Sequence, residues 1–578
     1  MHRNGEHEGA AELYQSVLRE NPRNFDALYL LGLLHGQNGR FEEAQHFTGQ
    51  ALLLNPASAD ALFMRSYALE RLSRDQEALL CLDRVIERNP TLAEALLNRA
   101  ALLARLQRHG ASAADYERLL ALNREYPFVR GNLLFSKLQE CDWRGFESEC
   151  TAIIAGLRAE KKIIVPFHAK ALFLSPDEEL ACARKFFTDE PLGPPLWQGE
   201  RYAHERIKIA YLSGDLRPHP VASQIAGVFE HHDRSRFETI GIAYGHGEGT
   251  EMRSRIARGL EHFFDVRMSS DTEVAEMMRR MEIDIAIDLT GYTEGCRPAI
   301  LARRPAPVQV NFLGFPGTMG VDYLDYLIAD ATVIPVGEHR HYAEKIVTLP
   351  DSYMPADSTR AIGTREITRK KEGLPETGFV FCCFNASYKI NPAIFDIWMR
   401  LLTRVDESVL WVGRANEPTR SNLRREAEAR GVRGDRLVFA EYRESAADHL
   451  ARLHLAGLFL DTVPYNAHAT ASDALWTGLP VITCAGPAFA GRVGASLLHA
   501  LGLPELIAPS LDEYENRALV LAREPNALWA IKDKLRRNRR TYPLFDTARF
   551  TRNLEIAYAV MAERQRNGLP PEGFAVPS

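Results

Sequence analysis

The chain has 578 residues, 46% hydrophobic and 25% charged, with a net charge of −6. At roughly 100–200 residues per domain it holds three or four cores, and so small a net charge argues for no general attraction to nucleic acid. No apolar run reaches the length of a membrane span, and the first residues (MHRNGEHEGAAEL) lack an apolar signal region. Eight scattered cysteines form no C-x-x-C or zinc-spaced set. The expectation is a cytoplasmic protein with neither membrane nor nucleic-acid partners.

Asn21-Pro22, Asn55-Pro56 and Asn89-Pro90 recur every 34 residues. That is the length of a tetratricopeptide repeat, two antiparallel helices per unit. Small or apolar residues needed for close helix packing fall at the matching places: Leu28, Gly32, Ala44 and Ala51, then Leu62 and Ala78, then Ala100. Residues 9–22 read as the second helix of a first repeat, and a divergent unit from Phe128 to Lys161 as the last. The array is assigned to 1–162. Its concave surface is either a protein-binding groove or a scaffold packed against the next domain.

Residues 163–204 read as a connector, with a helix from Ser175 that ends in a proline-rich stretch before Trp197. Strand-like runs then alternate with helical ones: Ile207–Leu212, Thr239–Ala243, Ile283–Leu289, Val308–Leu313 and Tyr326–Ala329. This predicts a parallel-sheet lobe over 205–355. Residues 356–377 turn charged and poor in apolar side chains, and read as a linker. A second series over 378–578 runs through Phe379–Phe384, Val409–Val412, Leu437–Ala440, Leu458–Asp461 and Val481–Cys484, and ends in a long amphipathic helix after Pro543. The fold class is thus α-helical repeats followed by two Rossmann-like α/β lobes, whose carboxyl edges form a ligand cleft.

The stretch LFLDTVPYNAHATASDALWTGLPVITCAG (458–486) carries the chemistry. His468, Thr470 and Asp473 surround a predicted helix start, which favours an anionic group such as a diphosphate. Asp473 suits sugar hydroxyls; the plainer alternative is a capped turn. Asn385 and Lys389 follow a buried strand, where a lysine could meet charge on a leaving phosphate or simply lie in solvent. His449 and Arg452 share a helix face. In the other lobe His219 follows a strand as a possible proton acceptor or a structural residue. Loops with Thr290 and Tyr292, and with Gly314, Pro316, Gly317 and Thr318, end strands on the same side. No H-E-x-x-H, P-loop, G-x-S-x-G or Asp-x-Asp occurs, which sets aside a metal-clamped diphosphate.

Repeats, two lobes and the segments SGDLRPHP, DLTGYTEG, RRPAPVQVNFLGFPGTMG, FNASYKINP and LDTVPYNAHATASDALWTGLPVIT, in this order, resemble the O-linked N-acetylglucosamine transferases. The resemblance implies a GT-B fold and an inverting, metal-free transfer of N-acetylglucosamine from UDP-N-acetylglucosamine to serine or threonine hydroxyls of proteins or peptides. No cofactor is implied beyond that donor. Carried over, Asn385, Lys389, His449, Arg452, His468, Ala469, Thr470 and Asp473 hold the nucleotide and its diphosphate. His219 lies on the acceptor or sugar side, with Thr290, Tyr292, Gly314, Pro316, Gly317 and Thr318, and is a candidate base or positioning group; His219 and Lys389 are the catalytic candidates. Departures are Ala446 where animal enzymes carry lysine, Ala386 for their glutamine, and no large insert between the lobes. Of their asparagine ladder, Leu30, Met64 and Asn98 keep one rung. The alternatives are a GDP-fucose-dependent protein O-fucosyltransferase and a repeat adaptor whose transferase body binds nucleotide without turnover.

Overall fold

The computed structural model describes residues 7–187 and 193–577. Residues 1–6, and the part of the expected proline-rich connection at 188–192, lie outside them. The chain forms two compact units, one reaching to Lys137 together with Met268–Ser270, the other comprising Leu138–Arg267 and the chain from Asp271 onward.

The first unit is a stack of helix pairs. Phe25–Gln37, Ala59–Arg71 and Ala93–Arg105 are the first helices of successive pairs, and Phe41–Leu54, Asp75–Arg88 and His109–Leu122 are the second. The repeat period is therefore kept by both series. Asn24 and Ser58 cap two of the first helices by accepting the N–H of the third residue inside. Ala44, Ala51, Ala78 and Ala100 are fully buried. A Cβ on Gly32 would come within 2.7 Å of Thr48 Cγ2, so only glycine lets these helices approach. A groove of about 380 Å³ is lined by Leu33, Gly36, Phe63, Met64, Tyr67 and Asn98, among others.

The second unit is built on two parallel sheets. Strands β1 (Ile207–Ser213), β2 (Phe237–Ala243), β3 (His262–Asp265), β4 (Ile285–Asp288), β5 (Val308–Asn311), β6 (Tyr326–Asp330) and β7 (Lys345–Leu349) belong to the first. Strands β8 (Val380–Cys383), β9 (Val409–Val412), β10 (Leu437–Phe439), β11 (Leu458–Leu460), β12 (Val481–Cys484) and β13 (Ile507–Ala508) make the second. The final strand β14 (Phe574–Ala575) returns to the first, giving the orders β14-β7-β6-β5-β4-β1-β2-β3 and β10-β9-β8-β11-β12-β13. The strands predicted from apolar runs all occur, while β3, β7, β13 and β14 were not expected. Four of the helices of this unit are α1 (Pro220–His231), α2 (Ala446–Arg452), α3 (Ala469–Thr477) and α4 (Thr547–Arg566).

The lobes are tied together at several points. Ser496 Oγ donates to Asp330 Oδ2 at 2.6 Å, and Tyr353 meets Phe489 edge-on. Residues 356–363 cross between lobes, and α4 crosses back to the first. There Glu555 Oε1 lies 3.0 Å from His232 Nδ1 and accepts the Asp233 N–H at 2.8 Å. The Tyr211 hydroxyl closes the chain of bonds 2.7 Å from His232 Nε2. Because His232 and Glu555 are buried, Glu555→Ala leaves two donors without partners. It should cost about 2–4 kcal/mol, read as a lower urea midpoint, with far-UV circular dichroism of the native state unchanged.

Candidate active site

Asp461 follows β11 and is completely buried. Its Oδ1 accepts the backbone N–H groups of Thr462 (2.8 Å) and Ala467 (2.6 Å), and its Oδ2 accepts the Thr483 hydroxyl of β12 at 2.6 Å. The loop 462–467 is thereby folded around one carboxylate. Asn466 extends the frame by donating to the Thr462 carbonyl and accepting the Gly494 N–H. A Cβ on Gly494 would lie 2.6 Å from Asp461 Oδ2, which leaves no room for any other residue. Burial pushes the Asp461 carboxyl up to about 6, against the pull of its donors and of Lys389.

Lys389 sits in a 3₁₀ turn, Ser387–Lys389, after β8. Its Nζ donates to the Asn466 carbonyl at 2.8 Å and lies 3.7 Å from the centre of the Tyr465 ring. The side chain is buried, and desolvation lowers its pKa to about 7, with Asp461 opposing. Asn385 knits the two loops together: its Nδ2 donates to Thr462 Oγ1 at 2.7 Å and its Oδ1 accepts the Thr470 hydroxyl at 2.5 Å. His468 is the N-cap of α3 but makes no side-chain cap, so its helix presents first-turn N–H groups beside Ala469 and Thr470. Its Nε2 donates to the Ala490 carbonyl, and burial, reinforced by the Lys389 cation, holds the imidazole well below its ordinary pKa.

Asp473, one turn into α3, is ion-paired with Arg360. His449, on α2, has its Nδ1 2.8 Å from Arg452 Nη2. Since arginine only donates, Nδ1 accepts and Nε2 carries the proton. Arg452 itself is 3% exposed. It donates to the Glu441 carbonyl at 2.6 Å and stands 3.7 Å from Glu372, so it supports His449 from below.

On the first lobe His219 caps α1, its Nδ1 accepting the Val221 N–H at 3.3 Å with Asp215 Oδ2 at 3.6 Å. Burial lowers its pKa, Asp215 opposing and Arg217 adding. With Nδ1 engaged, neutral His219 carries its proton on Nε2 and offers a donor. Helices α1 and α3 pack directly against each other. The remaining first-lobe candidates are packed walls. Thr290 braces the β1 loop through Ser213 Oγ and the Gly214 N–H, and Tyr292 meets Phe186 and Phe315 edge-on. Thr318 donates to Glu344 at 2.6 Å, and Pro316 is buried. Gly314 leaves no space for a Cβ beside the Leu289 carbonyl, nor Gly317 beside Lys170 Nζ.

Two features escaped the sequence reading. Asp461 was legible only as the polar residue ending an apolar run. The other is in the connector, whose short helix Pro166–Ala169 sets Phe167 against Tyr388 and Tyr465. Just beyond, Lys170 lies over the Phe315 ring and pairs with Glu179 at 2.6 Å. The connector therefore packs against site-bearing loops of both lobes. Among the described residues no group of three or more His, Cys, Asp or Glu side chains is placed to hold a metal ion.

Two parallel-sheet lobes closed by a returning helix, following an array of repeats in the sequence, define a GT-B glycosyltransferase fold. The profile of glycosyl transferase family 41 matches residues 195–364 and 363–554, and tetratricopeptide profiles match 1–62 and 34–92. The chain belongs to glycosyl transferase family 41. It is 37% identical over 434 residues to an Arabidopsis thaliana protein described as a probable UDP-N-acetylglucosamine–peptide N-acetylglucosaminyltransferase SEC, covering 72% of this chain and 44% of that one. It is 26% identical to the Caenorhabditis elegans UDP-N-acetylglucosamine–peptide N-acetylglucosaminyltransferase, covering 74% and 48%. The chain thus spans about half the length of these relatives. A lysine-to-methionine variant of Thermobaculum terrenum O-GlcNAc transferase superposes with a TM-score of 0.69 at 27% identity, covering 94% of this chain and 98% of that one.

The buried amine has a consequence for stability. Between pH about 7 and the ordinary lysine value of 10.5, the unfolded chain binds a proton at Lys389 that the folded chain lacks. Stability from this group therefore rises with pH across that window. Lys389→Met should flatten the rise, measured as the difference in urea midpoint between pH 7 and pH 9.

Proposed function

We propose that the protein transfers N-acetylglucosamine from UDP-N-acetylglucosamine to serine or threonine hydroxyls of a protein acceptor, with inversion and without a metal ion. Membership of family 41 and the activities for which its relatives are named support the class of reaction. The observation that carries the reading is Lys389, a buried amine held on the Asn466 carbonyl, in the loop that leads into α3. Here α3 faces the diphosphate with its free N–H groups, and Asp473 takes the ribose hydroxyls. Asn385 and Thr470 fix the loops that meet the phosphates, and His449 closes the uridine side, held by Arg452.

In this reaction the acceptor oxygen attacks the anomeric carbon as the bond to the distal phosphate breaks. Negative charge grows on UDP, and Lys389 is fixed to meet it. An amine with a pKa of about 7 becomes fully cationic once a diphosphate arrives, so binding takes up a proton. His219 donates through Nε2, which orients the sugar or acceptor, and the acceptor's proton passes to solvent water as the new C–O bond forms and UDP leaves. The repeat groove, with Asn98 at its edge, is the surface offered to the acceptor. The expected compartment is the cytoplasm, where the free thiols stay reduced.

Incubation with UDP-N-acetylglucosamine and a serine-rich peptide should give the glycosylated peptide, and GDP-fucose should give none. Lys389→Met should lower kcat roughly a hundredfold or more, with a smaller loss of UDP affinity. Retained kcat with weakened binding would reduce Lys389 to a docking residue. UDP calorimetry at pH 8 in buffers of different ionisation enthalpy should show proton uptake, with affinity falling from pH 7 to 9. Identical enthalpies in all buffers would refute the coupled protonation.

A further inference from the structure

Residues 356–363 read as linker in the sequence, yet they form a strap pinned to both lobes. On the first lobe the fully buried Asp357 pairs with Arg255 at 2.6 Å and accepts the Thr359 hydroxyl and N–H. On the second, the Gly363 N–H donates to the Ala447 carbonyl at 2.9 Å, against α2. Between these anchors stands Arg360. Its Nε donates to the Asp357 carbonyl at 3.3 Å, its Nη1 donates to Asp473 Oδ1, and its own carbonyl accepts Trp476 Nε1 at 3.1 Å. Asp473 and Trp476 are three apart, on one face of α3, so Arg360 grips that helix twice.

The pairing is one-sided. A guanidinium and a carboxylate commonly meet through two parallel bonds. Here Arg360 Nη2 is buried with no hydrogen-bond partner, and the bond to Asp473 uses Oδ1 alone. That leaves Oδ2 to accept from a ligand, on a side chain 21% exposed. Ribose hydroxyls need a carboxylate oxygen of fixed direction. Among the described residues, Arg360 is the side chain that fixes it.

We propose that Arg360 is a positioning residue for the donor's ribose. It holds Asp473 by one oxygen so that the other meets the hydroxyls, and ties that contact to the strap between the lobes. This rests on the donor-site reading given above.

The test compares UDP with 2′-deoxy-UDP by calorimetry on the full chain. The natural protein should prefer UDP by about tenfold, the scale of one charge-assisted hydrogen bond. Arg360→Gln, of similar length but uncharged, should bring that ratio close to the value for Asp473→Ala, and the double variant should be no worse than Asp473→Ala alone. Arg360→Lys should recover part of the preference. If Arg360→Gln weakens both nucleotides equally and keeps the natural ratio while Asp473→Ala abolishes it, the proposal is overturned and the donor site stands. If Asp473→Ala leaves both affinities unchanged, the donor-site reading itself fails, and this inference with it.

Discussion

The carboxylate of Asp461 gathers donors from two segments at a depth where no water reaches it. Burying a charge is costly unless its oxygens are satisfied, and here two backbone N–H groups and the Thr483 hydroxyl satisfy them. The loop they define carries the Asn466 carbonyl on which Lys389 rests, and the Thr462 hydroxyl that holds Asn385. One buried acid therefore sets the positions of an amine and an amide that come from a different strand. The same burial that makes the frame rigid moves the acid up and the amine down in pKa. Rigidity and poised protonation have one cause.

How much could be read from the chain depends on how local each signal is. The central strands announce themselves as apolar runs, because a parallel sheet covered on both faces demands them. Edge strands make no such demand: β3 is HFFD with three of its four residues exposed, and β14 is two residues long. The repeat helices were legible because one packing rule recurs with a fixed period. Lys389 and Thr470 stand out in the sequence through the motifs that carry them. Their partners were not, since Asn385 and Thr470 are 85 residues apart and Arg360 and Asp473 are 113 apart.

Composition misled most where polar residues are structural. The segment 356–377 is charged, which ordinarily marks a solvated linker, but Asp357 and Glu372 are buried because each has an arginine to receive it. Arg452 is the converse: a cation on a helix face that turns inward, over the Phe384 and Trp411 rings. Charge says which contacts a residue can make, and only the fold says whether solvent or protein makes them.

The return of the terminal segment has a bearing on how the molecule is made. Strand β14 pairs with β7, so the first sheet gains its last member from the far end of the chain. During synthesis β7 emerges with an unpaired edge and stays so while the whole second lobe is translated. His232 and Tyr211 likewise wait for α4. The first lobe is begun before the second and completed after it. Until β14 emerges, that open edge is the place where nascent chains would pair with one another and where a chaperone has most to protect.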